Sequence, residues 1–90
     1  RDISFIVPKS FVPNNYFDLI RDHLSDFAEE VLLLDKFEND KKFGEGKLSY
    51  TFRITYRSLE RTLTNVEVND LHAGLEEKTE TQFGAEIRRV

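Results

Sequence analysis

KLSYTFRITYRSLERTLTNVEV, from Lys47 to Val68, holds a long strand, a turn and the start of a helix. Leu48, Tyr50, Phe52, Ile54 and Tyr56 fall on one side of the strand, and Ser49, Thr51, Arg53, Thr55 and Arg57 fall on the other. That period of two is the pattern of a strand buried on one face only. The period then changes. Thr64 and Glu67 have the spacing of a capping box, in which the Thr hydroxyl accepts from the Glu67 N–H and the carboxylate reaches back to the Thr64 N–H. A helix is therefore predicted to begin at about Asn65.

Working outward, Ile3 to Val7 reads as a short apolar strand ended by Pro8, which cannot donate to a ladder. After Pro13, Asn14 or Asn15 is the expected cap of a helix running to about Glu30, with Phe17, Ile20, Leu24, Phe27 and Ala28 on one face. Val31 to Phe37 reads as a second strand, and Glu38 to Gly46 as a hairpin-type loop. The second helix places Val68, Leu71 and Leu75 on one stripe and ends near Gln82, with Gly84 as its C′ residue. Ala85 to Val90 alternates as a last strand. The order βαββαβ predicts an α+β, ferredoxin-like domain: a four-stranded antiparallel sheet, first and third strands central, with two helices on one face and the other face open.

Ninety residues suit a single domain, 1–90, that buries roughly 60 to 70% of its unfolded surface. The absence of Cys removes disulfides, thiol nucleophiles and Cys-ligated metal sites. No apolar run approaches the ~18 residues of a membrane span, so no membrane partner is expected. The chain starts at Arg1 and contains no Met, which suggests a domain excised from a larger chain. A net charge of −4 argues against a general nucleic-acid coat protein. Lys36, Lys41, Lys42 and Lys47 nevertheless surround the hairpin loop, while acids concentrate on the helices.

Arg-Asp-Ile-Ser-Phe at 1–5, Leu-Asp-Lys-Phe at 34–37, Gly-Glu-Gly-Lys-Leu-Ser at 44–49, Phe-Arg-Ile-Thr-Tyr at 52–56, Glu-Arg-Thr-Leu-Thr at 60–64 and Phe-Gly-Ala-Glu-Ile-Arg at 83–88 occur in an order that carries a resemblance. Together they resemble the ferredoxin-fold anticodon-binding domain of phenylalanyl-tRNA synthetases over almost the whole chain. Ile6 stands where mitochondrial forms usually have Trp, and Gly-Glu-Gly-Lys replaces their His-Pro hairpin. The likeness is therefore to the C-terminal domain of the bacterial β subunit.

That resemblance implies binding to the anticodon stem-loop of phenylalanine tRNA, with the wobble guanine as target. By position, the family's Asp, its aromatic two residues later and its strand-three Ser correspond to Asp35, Phe37 and Ser49. Some relatives have Tyr at the position of Phe37, so here the stacking face is kept without a phenolic hydrogen bond. Arg88 is expected near the same face, meeting a base or phosphate, and Lys36, Lys47 and Arg53 are expected backbone contacts. The chemistry suits the assignment: an ionised carboxylate can accept from both N1–H and the exocyclic amine of guanine, an edge adenine lacks. A flat aromatic ring offers a stacking platform.

The resemblance also implies a parent ligase that uses ATP and Mg2+ elsewhere, assembles as α2β2 with an α subunit, and works in the cytoplasm. No cofactor, metal or catalytic residue is expected within these residues. His23 and His72 lack ligand-like spacing to a second His. The serines have no Gly-x-Ser-x-Gly context, and no P-loop is present. The competing reading is a ferredoxin-like domain whose open face meets a protein or a small regulatory ligand. An acylphosphatase-like enzyme is a remote third, since no anion-cradling Gly-rich loop with an Arg is visible.

Overall fold

The computed structural model describes residues 1–89. Its elements are β1 (Asp2–Pro8), α1 (Pro13–Leu24), β2 (Ala28–Phe37), α2 (Asp40–Phe43), β3 (Lys47–Tyr56), α3 (Asn65–Phe83) and β4 (Glu86–Arg88). The strands form one antiparallel sheet in the order β2-β3-β1-β4, so β1 and β3 are central as expected. The chain has the α+β, ferredoxin-like fold.

The alternation read from β3 decides which face is covered. Leu48, Tyr50, Phe52 and Ile54 are buried together with Ile3, Phe5 and Val7 of β1, and Tyr16, Leu19, Ile20, Leu24 and Leu75 bring α1 and α3 onto the same side. Fully burying a large apolar side chain is worth about 1.5–3 kcal/mol, so this one cluster supplies most of the favourable free energy available to so short a chain. The rings of Phe5, Tyr16 and Phe52 form its centre, with centroids 4.7–5.8 Å apart. Tyr16 is absent from the stripe read from the sequence, yet it is fully buried. Its hydroxyl donates to Thr79 Oγ1 at 2.8 Å, and Thr79 donates to the Leu75 carbonyl at 2.7 Å, so no polar atom of that pair is left unmatched. Burial raises the Tyr16 pKa well above the usual phenol value.

Both boundaries of the first helix differ from the sequence reading. The first helix ends at Leu24, not Glu30, and Phe27 and Ala28 do not extend its apolar face. Ser25 adopts φ 50°, which stops the helix, and a three-residue 3₁₀ turn follows at Ser25–Phe27. Ala28 then pairs with Tyr56, so the β3 ladder captures residues whose three- and four-residue spacing imitated a helix. At the other end Pro13 occupies the first turn and no side chain caps it, so neither Asn14 nor Asn15 is the cap.

The hairpin loop holds an unexpected single helical turn, α2. Asn39 caps it, accepting from the N–H groups of Lys41 and Lys42 at 3.2 and 3.1 Å. Gly44 follows at φ 97°, a conformation that favours glycine. The capping box of α3 is formed as read, with both reciprocal bonds, and Gly84 ends that helix in the left-handed region. The last strand is shorter than the expected 85–90; Arg89 lies beyond it and Val90 lies outside the described residues.

Candidate nucleic-acid interface

The open face can be read as rows running across the strands. In one row Asp35 of β2 pairs with Thr51, Thr51 with Ser4, and Ser4 with Arg88. In the next, Phe37 pairs with Ser49, Ser49 with Ile6, and Ile6 with Glu86. Adjacent strands stand about 4.8 Å apart, so each row spans roughly 14 Å from β2 to β4. Asp35, Phe37, Ser49 and Arg88 therefore share one face, as anticipated for the four.

A bulge makes this possible. Val31 and Leu33 lie opposite Ile54 and Phe52, on the helix-covered side of the sheet, and a strict alternation would send Asp35 and Phe37 the same way. The register shift between Leu33 and Asp35 inserts Leu34 as an extra residue and turns Asp35 and Phe37 to the open side. Lys36 consequently lies opposite Tyr50, on the helix-covered side and away from Asp35 and Phe37.

At the centre of the face, small hydroxyl side chains form a floor. Ser4 and Thr51 are hydrogen-bonded at 2.8 Å between their oxygens. Asp35 stands beside them, exposed, and among the described residues its carboxylate has no hydrogen-bond or ion-pair partner. Phe37 is 47% exposed and meets the ring of Phe43 edge-on, with centroids 5.7 Å apart.

Ser49, expected from the resemblance among the anticodon contacts, is only 2% exposed. Its cover comes from two directions. Arg88 Nη1 donates to Ser49 Oγ at 2.9 Å, and the guanidinium carbon lies 4.9 Å from the centroid of Phe43. Lys42 approaches the same ring at 5.9 Å. Ile6, Lys42, Phe43, Glu86 and Arg88 together line a shallow groove at this end of the sheet.

The remaining cations differ in availability. Lys47 begins β3 opposite Pro8, has the parity of Ser49 and is exposed. Arg53 is on the open face but is engaged by Asp2 through two bonds, Nε to Oδ1 at 2.8 Å and Nη2 to Oδ2 at 3.1 Å. The Arg53 guanidinium holds the Asp2 carboxyl below its usual range and is itself raised by that partner. Lys9 is paired with Glu38 at 2.6 Å.

Phe43 is the interface residue that sequence reading missed. Its signal was local: an Asn at position 39, a polar turn and an aromatic immediately before Gly44. Both histidines lie elsewhere. His72 Nε2–H donates to the Asp2 carbonyl at 3.1 Å, which leaves Nδ1 to accept from the Tyr56 hydroxyl at 2.8 Å. Among the described residues there is no group of His, Cys, Asp or Glu able to hold a metal ion. Among the described residues no helix is long and apolar enough to cross a membrane.

Sequence relatives identify the family. The chloroplastic/mitochondrial phenylalanine-tRNA ligase of Arabidopsis thaliana is 40% identical over 98% of this chain, which spans 20% of that relative. The mitochondrial phenylalanine-tRNA ligase of Mus musculus is 39% identical over 97% of the chain and 19% of its own length. The phenylalanine-tRNA ligase beta subunit of Thermotoga maritima is 39% identical over 99% of the chain and 11% of its own length. The chain thus spans a fifth or less of each of these relatives. Its residues 1–88 match the family model of the ferredoxin-fold anticodon binding domain, and the chain belongs to that family.

Proposed function

We propose that this chain is the module of a phenylalanine-tRNA ligase that reads the anticodon loop of phenylalanine tRNA, with the wobble guanine as the base recognised. Asp35 accepts from guanine N1–H and the exocyclic amine, Phe37 stacks on the unpaired base, and Ser49 and Arg88 complete the polar contacts. Lys47 serves the phosphate backbone. Arg53 does so only by leaving Asp2, and Lys36 only from the strand edge. The observation that carries this reading is the β2 bulge, which leaves a carboxylate without a partner among the described residues beside a half-exposed aromatic on the open face.

The parent we propose is a ligase of the bacterial β-subunit type, assembled with an α subunit as α2β2 in the cytoplasm. ATP and Mg2+ act elsewhere in that parent, in forming phenylalanyl-AMP and charging the tRNA. These residues bind; they do not catalyse. Ile6 supports the β-subunit setting, since it lies on the open face between Ser49 and Glu86, where the mitochondrial resemblance would place a Trp.

The test is a titration of the chain at low salt with the anticodon stem-loop of phenylalanine tRNA, beside a copy whose wobble guanine is adenine. Tighter binding of the guanine form is expected. Equal affinity for the two, or none for either, would remove the base-reading assignment and favour a face that docks protein.

A further inference from the structure

A base that is to meet Ser49 finds the place taken. The Ser49 hydroxyl lies on the open face of the sheet yet is buried, because the planar guanidinium of Arg88 bonds to it and lies against Phe43. A planar, hydrogen-bonding group held beside an aromatic ring is what an unstacked nucleobase offers to the same surface. Arg88 is thus in the posture of a ligand.

Its hold is of a kind that exchanges. The partners of Arg88 are a neutral hydroxyl and a ring face, and it makes no ion pair among the described residues, although Glu86 lies two positions away on the same strand. A phosphate would give the guanidinium two charge-assisted bonds in place of one charge-to-neutral bond. The strand that presents it is short and at the sheet edge, Glu86–Arg88, so the side chain can swing outward without disturbing the central strands. Phe43 is fixed by contrast, buried on a turn closed by the Asn39 cap and braced by Phe37.

We propose that Arg88 is an exchangeable plug: in the free chain it occupies the base slot over Ser49, and an entering nucleobase displaces it onto the backbone phosphate. This rests on the RNA-binding reading of the same face and adds to it a specificity device. A base enters only if it repays the loss of the plug, which guanine does through Asp35 and adenine does not. Phe43 is the positioning residue, holding the guanidinium in register with Ser49.

The test compares the 90-residue chain with Arg88→Met, which keeps the stem and removes the guanidinium, using two probes: guanosine, which has no phosphate, and the guanine-form anticodon stem-loop. With the slot emptied, Arg88→Met is expected to bind guanosine about three- to tenfold tighter, because a larger fraction of the chain is competent. For the stem-loop, the slope of log K against log salt should fall by about one, the loss of one phosphate contact. Arg88→Lys, which gives up the planar guanidinium over Phe43 and Ser49 but keeps the charge, should tighten guanosine binding with the slope unchanged, so the idea stays testable if Arg88→Met folds poorly. Weaker guanosine binding by Arg88→Met would make Arg88 an ordinary base contact and overturn the plug. Unchanged values for both probes would overturn it equally. A wild-type chain that prefers guanine while the variants behave this way defeats the plug alone; a wild-type chain that binds neither stem-loop defeats the RNA reading and the plug together.

Discussion

Asp35 and Phe37 sit two positions apart on one strand and are expected to fail differently. Asp35→Asn replaces a pure acceptor with a group that must present one donor, so it can no longer accept twice from guanine. Hydrogen bonds to a charged group are worth about 1.5–3 kcal/mol, which predicts a loss of roughly 10- to 150-fold for the guanine stem-loop. The adenine form should be almost unaffected, and the unfolding midpoint should not move, since the Asp35 carboxylate is exposed and has no partner among the described residues. A parallel loss for both RNAs in the titration would show that Asp35 does not read the base. Phe37→Ala, which removes a sequence-tolerant stacking face, should weaken both forms alike by about 1–3 kcal/mol. The pairing of these two residues was legible in the sequence from their shared parity at the end of a strand. The burial of Ser49 was not, because its cover comes from Phe43 in the preceding turn and from Arg88 on the last strand, and only the folded sheet brings them together.

Among the elements, α3 carries the most explicit local code. Thr64 and Glu67 form the capping box, and Arg61 adds a two-pronged ion pair to the same carboxylate. Thr64→Ala should destabilise the chain by about 1 kcal/mol, read as a lower urea midpoint with the same m-value. Glu67 has its pKa lowered to about 2 by the Arg61 bond first and by the Thr64 N–H second. Because the folded value is the lower one, its contribution is complete above the ordinary carboxylate value of 4.5 and is lost as pH falls from there toward about 2. In Glu67→Gln that acid-side slope should shrink, and an unchanged slope in pH-dependent urea melts would assign the loss to other carboxylates.

Gly74, in the interior of the same helix, tests packing against propensity. A Cβ there would meet His23 Nε2 at 3.1 Å, but that atom is the end of a half-buried side chain that can move aside. Gly74→Ala should therefore be stabilising, by no more than the helix-propensity gain of about 1 kcal/mol, and a lower thermal midpoint would mean that His23 is held. The α3 boundaries could be read because caps are local. The end of α1 could not, since the choice of Ala28 between helix and strand depends on Tyr56, twenty-eight residues later in the chain.

For the molecule as a whole, the sheet order and the covered face followed from a single strand's alternation, because an apolar row such as Tyr50, Phe52 and Ile54 leaves the chain one way to bury it. What alternation does not encode is how the two central strands are tied to the helical layer at the polar end. His72 makes that tie, joining α3 to the Tyr56 hydroxyl on β3 and the Asp2 carbonyl on β1. Burial lowers its pKa more than the Asp2 carbonyl raises it, so the folded chain favours the neutral ring. The unfolded chain takes up the proton first as pH falls through the ordinary value of 6.5. The stabilisation is full above that value, declines as pH falls from there to the lower folded value, and is constant beneath it. Wild-type stability should accordingly fall across mildly acidic pH, well before the carboxylate region in which Glu67 acts. His72→Gln keeps a neutral donor and acceptor but cannot titrate, so its stability should be flat across the same interval while wild type declines. Equal declines in the two chains, followed by urea melts at closely spaced pH values, would move the origin of the acid sensitivity away from this three-element tie.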